Sequence, residues 1–91
     1  MAGFGKLHEA ALKPGALDLK QKELISLGIG IASRCDGCIA MHVYASLAAG
    51  ATHDEIVETI GVAVMMGGGP CLMYSAHAME ALEQFEAESK S

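Results

Sequence analysis

The amino-acid sequence predicts an all-α fold, organised as one small domain of about five helices over residues 1–91. Apolar residues recur at spacings of three and four along most of the chain, which is the period of an amphipathic helix. An acceptor residue followed three positions later by Gln or Glu occurs at Asp18 and at Thr52, and this pattern is typical of helix N-termini. Glycine and proline separate the apolar stretches at Pro14-Gly15 and in the segment 67–70, where they interrupt helices.

The helix boundaries follow from these signals in chain order. The first helix ends before Pro14, the second begins after Asp18, and the fourth begins after Thr52. The break before the third helix is expected at Asp36 or Gly37. The last helix begins at the second proline of the chain, because proline suits the first helical turn. The predicted helices therefore cover approximately residues 4–13, 19–34, 38–49, 53–66 and 70–87.

Two glycines, Gly28 and Gly30, lie inside the second predicted helix. Each costs about 1 kcal/mol in a helix interior relative to alanine. We interpret them as positions where another helix approaches closely. The alternation Gly28-Ile29-Gly30-Ile31 is also compatible with a strand.

The composition predicts association between copies of the chain. It is 52% hydrophobic but only 4% aromatic. A chain of this length buries only roughly 60–65% of the surface that it exposes when unfolded. We therefore expect part of the apolar surface to pack against other subunits in a homo-oligomer.

The charge and the hydropathy pattern exclude two classes of partner. The formal net charge is −5 and the chain has no run of Lys or Arg, so nucleic acid is not expected as a partner. The most apolar uncharged stretch, Gly61 to Met73, is too short to span a bilayer. The first residues show no apolar core of an export signal. We expect a cytoplasmic protein with no membrane contact.

The segment Cys35-Asp36-Gly37-Cys38-Ile39-Ala40-Met41-His42 carries the clearest chemical signal. Residues three and four apart share a helix face, so His42 can reach the sulfur of Cys38. Cys35 can close a short disulfide with Cys38. A helix N-terminus and a neighbouring imidazole both favour the thiolate, which is the reactive form of the thiol. The segment indicates a redox-active dithiol.

Two other interpretations of the cysteine pair stay open. Cys35, Cys38 and His42 supply three ligands for zinc, with Cys71, His77 or water as a fourth. No second C-x-x-C pair and no H-x-x-x-H pair accompanies them. The two cysteines could also be buried residues without chemistry. A reducing compartment favours catalysis or metal binding over a structural disulfide.

Glu23 is the next informative residue, because it places a carboxylate in an apolar stretch of the second predicted helix. Taken alone, it would be an exposed residue in contact with solvent. If the second and third helices fold back on each other, Glu23 instead faces His42. A carboxylate there would orient the imidazole and help to move the thiol proton.

The other cysteine and histidines carry less information. Cys71 is predicted to be an inert buried thiol, and His77 a structural or interface residue that could line the site. His8 and His53 are predicted to face solvent.

The spacing of Glu23, Cys35, Cys38 and His42 resembles the signature of alkylhydroperoxidase D (AhpD)-like proteins, which belong to the carboxymuconolactone decarboxylase superfamily. The resemblance covers about residues 7–85, which we take as the core of the domain. Apart from the signature, it is clearest in two downstream segments, 48–58 and 66–77.

The resemblance implies an AhpD-like helical fold that is completed by oligomerisation, as a trimer or a hexamer. It also implies a thiol-dependent peroxidase or disulfide reductase with a small peroxide as substrate. Cys38 would be the peroxidatic thiol and Cys35 the resolving thiol, while Glu23 and His42 would form a proton relay. An external dithiol, dihydrolipoamide- or thioredoxin-like, would supply the electrons. No flavin or nicotinamide is expected, since the glycines at 67–69 follow no strand.

Two alternative functions come from other classes. One is a lactone-processing enzyme like the decarboxylase that names the superfamily, but that branch generally lacks the cysteine pair. The other is a non-enzymatic module that binds a metal or senses redox state.

Overall fold

The structure is a computed structural model, and it describes residues 2–89. Within this range the chain forms five α-helices and no strand, so the predicted all-α class is confirmed. The helices are α1 (Ala2–Leu12), α2 (Leu19–Ala32), α3 (Asp36–Ala48), α4 (His53–Gly67) and α5 (Leu72–Ser89), with a short 3₁₀ helix at Gly69–Cys71 before α5.

Both predicted capping boxes are present and fix the starts of α2 and α4. Asp18 accepts a hydrogen bond from the backbone N–H of Gln21, whose side chain accepts one in return, and Thr52 and Glu55 form the same arrangement. Lys20 Nζ also donates to Glu55 Oε2 at 2.9 Å, which links the start of α2 to the start of α4. This hydrogen bond raises the pKa of Lys20 and lowers the pKa of Glu55.

Two predicted helix starts are corrected by the structure. The break expected at Asp36 or Gly37 is absent, because both residues are helical and Cys35 is the N-cap residue of α3. The chain reverses at Arg34, the residue before this N-cap, whose φ of 60° lies in the left-handed region. Pro70 lies in the 3₁₀ helix and not in the first turn of α5.

Helix α2 is the centre of the fold and packs against both α3 and α4. It runs antiparallel to α3, since Gly30 lies beside Cys38 while Glu23, about two turns earlier, contacts His42. The core between α2, α3, α4 and α5 is formed mainly by Leu27, Ile31, Ile39, Val43, Ile56, Ala78 and Leu82, all fully or almost fully buried.

The predicted close approach of helices is confirmed at Gly30. A Cβ at this position would lie 3.2 Å from the Cβ of Cys38, which is tighter than ordinary van der Waals contact. At Gly28 a Cβ would lie 3.7 Å from Thr59 Cγ2, which is an ordinary contact. The strand interpretation of this segment is wrong, because all of it lies in α2. Gly30 therefore lets the end of α2 support the cysteine pair.

A groove between α2 and α4 leaves much apolar surface exposed on the single chain. We call it the α2–α4 groove, and its lining is Leu24, Ile25, Gly28, Ile29, Ala32, Thr59, Val62, Ala63 and Met66. Ile29 is 63% exposed and Met66 is 73% exposed.

Within residues 2–89, no helix is both long and apolar enough to cross a membrane.

The homo-oligomer stays a prediction, and the α2–α4 groove gives it a test. We expect Ile29→Glu to reduce the assembly to smaller species, because a carboxylate in an apolar interface loses its hydration without gaining a partner. Light scattering coupled to gel filtration measures the change. Leu17→Glu, an equally drastic change at an exposed residue outside the groove, should leave the assembly intact. A wild-type protein that is monomeric at micromolar concentration would contradict the prediction.

Candidate active site

The first turn of α3 holds the two cysteines of the motif. Cys35 and Cys38 form a disulfide, with their Cα atoms 5.2 Å apart. Cys35 is the N-cap residue, and its Sγ accepts a hydrogen bond from the backbone N–H of Cys38 at 3.3 Å. Its own N–H donates to the carbonyl of Gly30 at 3.0 Å, which ties the motif to the end of α2. Both sulfurs therefore lie where free N–H groups and the helix dipole favour negative charge.

A buried carboxylate–imidazole pair lies next to this turn. His42 Nδ1–H donates to Glu23 Oε1 at 2.6 Å, and the two side chains are only 12% and 7% exposed. His42 follows Cys38 by one helical turn on the same face of α3. The interpretation of Glu23 as a solvated residue is wrong, because Glu23 continues the buried stripe of Leu27 and Ile31 that faces α3.

The geometry of this pair suits proton exchange at the dithiol. A carboxylate that accepts from Nδ1–H fixes the orientation and the tautomer of the ring, and it leaves Nε2 as the nitrogen that can take up a proton. Hydrogen bonds to an ionised group are short and strong, and the low exposure of Glu23 and His42 protects this one from competition by water. The four residues of the predicted site are thus brought together by one helix pair.

His8 contributes a contact that the sequence did not predict. Its ring stacks on the ring of His42, with centroids 6.4 Å apart and planes inclined by 22°. His8 is exposed, as predicted, but it lies over the imidazole of the candidate relay. The contact joins α1 to α3, with the whole of α2 between them in the chain, and no local pattern in the sequence signals it.

A second carboxylate–imidazole pair lies on the outer side of the motif. His77 Nδ1–H, from α5, donates to Oδ1 of Asp36 at 2.7 Å. Asp36 is the first residue of α3 and adjoins Cys35 in the chain. The side chains of His77 and Asp36 are 39% and 62% exposed, so this pair is open to solvent. His77 was predicted to be a structural or interface residue that could line the site, and its hydrogen bond to Asp36 places it next to the C-x-x-C motif.

Cys71 lies apart from the disulfide. It is 1% exposed, as predicted, and its thiol donates to the backbone carbonyl of Ala32 at 3.7 Å. A Cβ on Gly67 would overlap the Cys71 sulfur, so a glycine is required there.

Among residues 2–89, no three side chains of His, Cys, Asp or Glu are grouped so that they could hold a metal ion.

Comparison with known proteins identifies the family of the chain. The model of the carboxymuconolactone decarboxylase family matches residues 1–82. An uncharacterized protein from Cupriavidus necator is 31% identical over 87 residues, which are 96% of this chain and 77% of that protein.

Two crystal structures of carboxymuconolactone decarboxylase family proteins show the same fold. One, from Legionella pneumophila in its apo form, matches with a TM-score of 0.89 and 52% identity, covering 93% of this chain and 76% of that one. The other, from Thermotoga maritima, has a suggested part in the antioxidative response. It matches with a TM-score of 0.94 and 34% identity, covering 98% of this chain and 92% of that one. As its cysteine signature indicated, the chain belongs to the carboxymuconolactone decarboxylase family.

Proposed function

We propose that the protein is a thiol-dependent peroxidase of the alkylhydroperoxidase D type, which reduces a small peroxide at the Cys35–Cys38 pair. One observation carries the proposal: a C-x-x-C disulfide at a helix N-terminus lies one turn from a buried carboxylate–imidazole pair. The suggested antioxidative part of the Thermotoga maritima relative supports the same reaction class.

The oxidative half of the reaction uses Cys38 as the nucleophile. Its thiolate attacks one peroxide oxygen, the O–O bond breaks, and Cys38 becomes a sulfenic acid. His42, which Glu23 holds in place, takes the proton of the Cys38 thiol at Nε2 and gives it to the leaving alkoxide, which departs as an alcohol. Positioned proton transfer of this kind contributes about 10²–10⁴-fold to a rate.

The disulfide forms in the second step. Cys35 attacks the sulfenic sulfur and loses its thiol proton, and the hydroxyl group leaves as water. An external dithiol then reduces the disulfide by two thiol–disulfide exchanges and is itself oxidised to a disulfide. The balance is one peroxide and one dithiol consumed for one alcohol, one water and one disulfide produced. A site that must be re-reduced after each turnover fits the reducing cytoplasm.

Oxidation by tert-butyl hydroperoxide tests the proposal. The fully reduced protein should lose two thiols for each peroxide consumed and release one tert-butanol, and peptide mapping should find Cys35 joined to Cys38. The buried Cys71 should keep its thiol, and Cys71→Ser should react at the wild-type rate. A reaction no faster than that of free cysteine, or thiol loss without tert-butanol, would reject the peroxidase and leave the lactone-processing and redox-sensing alternatives.

A further inference from the structure

Two carboxylate–imidazole pairs flank the disulfide, and the chemistry above uses only one of them. The inner pair joins Glu23 to His42, whose imidazole is 12% exposed. The outer pair joins Asp36 to His77, whose imidazole is 39% exposed. In both pairs the carboxylate accepts from Nδ1–H, which leaves Nε2 free to exchange a proton.

The outer pair has a defined position. Asp36 is bonded to Cys35, so its hydrogen bond to His77 holds the imidazole beside the first cysteine of the motif. Tyr74 packs edge-on against the His77 ring, with centroids 5.7 Å apart, and this contact limits the orientations of the ring. The imidazole is therefore held next to the motif, and 39% of the His77 side chain is open to solvent.

We propose that His77, positioned by Asp36, exchanges protons during reduction of the disulfide by the external dithiol and takes no part in peroxide reduction. The inference deepens the proposed function, because it assigns the second half-reaction to a second imidazole. A dithiol carried by a larger partner must approach from solvent, where His77 lies. A small peroxide can reach the sheltered side where His42 lies.

Protons and electrons balance in this exchange. His77 takes the proton of the first thiol of the reductant, and the resulting thiolate attacks the sulfur of Cys35. The S–S bond breaks, Cys38 leaves as a thiolate, and a mixed disulfide forms between the reductant and Cys35. The second thiolate of the reductant then attacks the reductant sulfur of the mixed disulfide. Cys35 leaves and takes the proton from His77, while Cys38 is reprotonated with the proton of the second thiol.

Measuring the reduction and the oxidation of the disulfide separately distinguishes this role from a structural one. His77→Ala is oxidised to the disulfide with diamide, and its reduction by excess dithiothreitol is followed by quenching and mass analysis. We expect reduction to slow about tenfold, below the full effect of a buried acid–base group because solvent can partly substitute at an exposed site. Added imidazole should restore much of the rate, and oxidation by tert-butyl hydroperoxide should stay at the wild-type rate.

His53 offers a matched control. His53 is the first residue of α4 and pairs with Glu86 at 3.0 Å. Its side chain is 49% exposed, so solvent reaches this pair as it reaches the pair of His77. His53→Ala should reduce at the wild-type rate and show no response to imidazole. His77→Gln, which keeps a donor for Asp36, should be slow like His77→Ala and so separates proton exchange from the hydrogen bond.

Wild-type reduction rates in both His77 variants would overturn the inference. So would slow reduction without imidazole rescue, or equal slowing of both half-reactions. Failure of the wild-type protein to react with peroxide would reject the proposed peroxidase instead. The diamide-formed disulfide would still test His77, because its reduction requires no peroxide.

Discussion

Replacing Cys38 with serine is expected to abolish the reaction with peroxide, because it removes the thiolate that attacks the O–O bond. Cys35→Ser should still react once, since the first step needs only Cys38, and should then stop at the sulfenic acid. Trapping with dimedone and mass analysis should detect that sulfenic acid in Cys35→Ser and not in Cys38→Ser. Only the wild type should turn over with a dithiol.

The same variants report on the thiolate itself. Cys38 lies in the first turn of α3 and one turn before His42, so both the helix dipole and the imidazole favour its ionised form. Alkylation of Cys38 in Cys35→Ser should therefore remain fast at lower pH than alkylation of Cys35 in Cys38→Ser. Both measurements belong in a Cys71→Ser background, which leaves one thiol to titrate. Sulfenic acid on Cys35 in Cys38→Ser would exchange the roles assigned to the two cysteines.

Local signals in the sequence were sufficient to predict that the five helices form, but not where α3 and α5 begin. Asp18 and Thr52 each act through residues within one turn, so the capping boxes and the helices that follow them could be predicted without tertiary information. The start of α3 was placed too late, because its N-cap acceptor is the sulfur of Cys35. Ser, Thr, Asp and Asn are the N-cap residues that a sequence pattern normally reveals.

The candidate site was predictable only in part, for a physical reason. The spacing from Cys35 to His42 is a property of one helix, whereas the burial of Glu23 depends on how α2 packs against α3. The pairs of His77 with Asp36 and of His8 with His42 join helices that are distant in sequence. Such contacts follow from tertiary packing, so no period or motif in the sequence could reveal them.

Glu23→Gln and His42→Gln are each expected to slow peroxide-driven disulfide formation about 10²-fold, while the helical fold is kept. The double variant should be scarcely slower than either single variant, because residues that act as one unit are not additive. The physical reason is the 2.6 Å hydrogen bond between the two side chains: the carboxylate acts only through the imidazole. Stopped-flow oxidation of the three reduced variants by tert-butyl hydroperoxide measures the effect.

Glutamine is the right replacement for Glu23 and for His42, because both side chains are nearly buried and a polar side chain of similar size keeps their hydrogen bond possible. Leaving a buried charge without its partner costs about 3–5 kcal/mol, so His42→Ala would confuse lost stability with lost activity. The side-chain amide that His42→Gln introduces can still donate to Glu23, and thermal unfolding should show that both variants fold. Glu55→Gln is the matched control, since it removes a carboxylate that pairs with Lys20 and not with the imidazole.

The outcome distinguishes a relay from two independent contributions. If Glu23 orients His42, then once the imidazole is lost the carboxylate has nothing left to orient, and the second substitution costs almost nothing. Rate losses that multiply in the double variant would mean that each residue acts on the dithiol by itself. A wild-type rate in Glu23→Gln would make the buried carboxylate a structural partner of His42, and proton transfer would then rest on the imidazole alone.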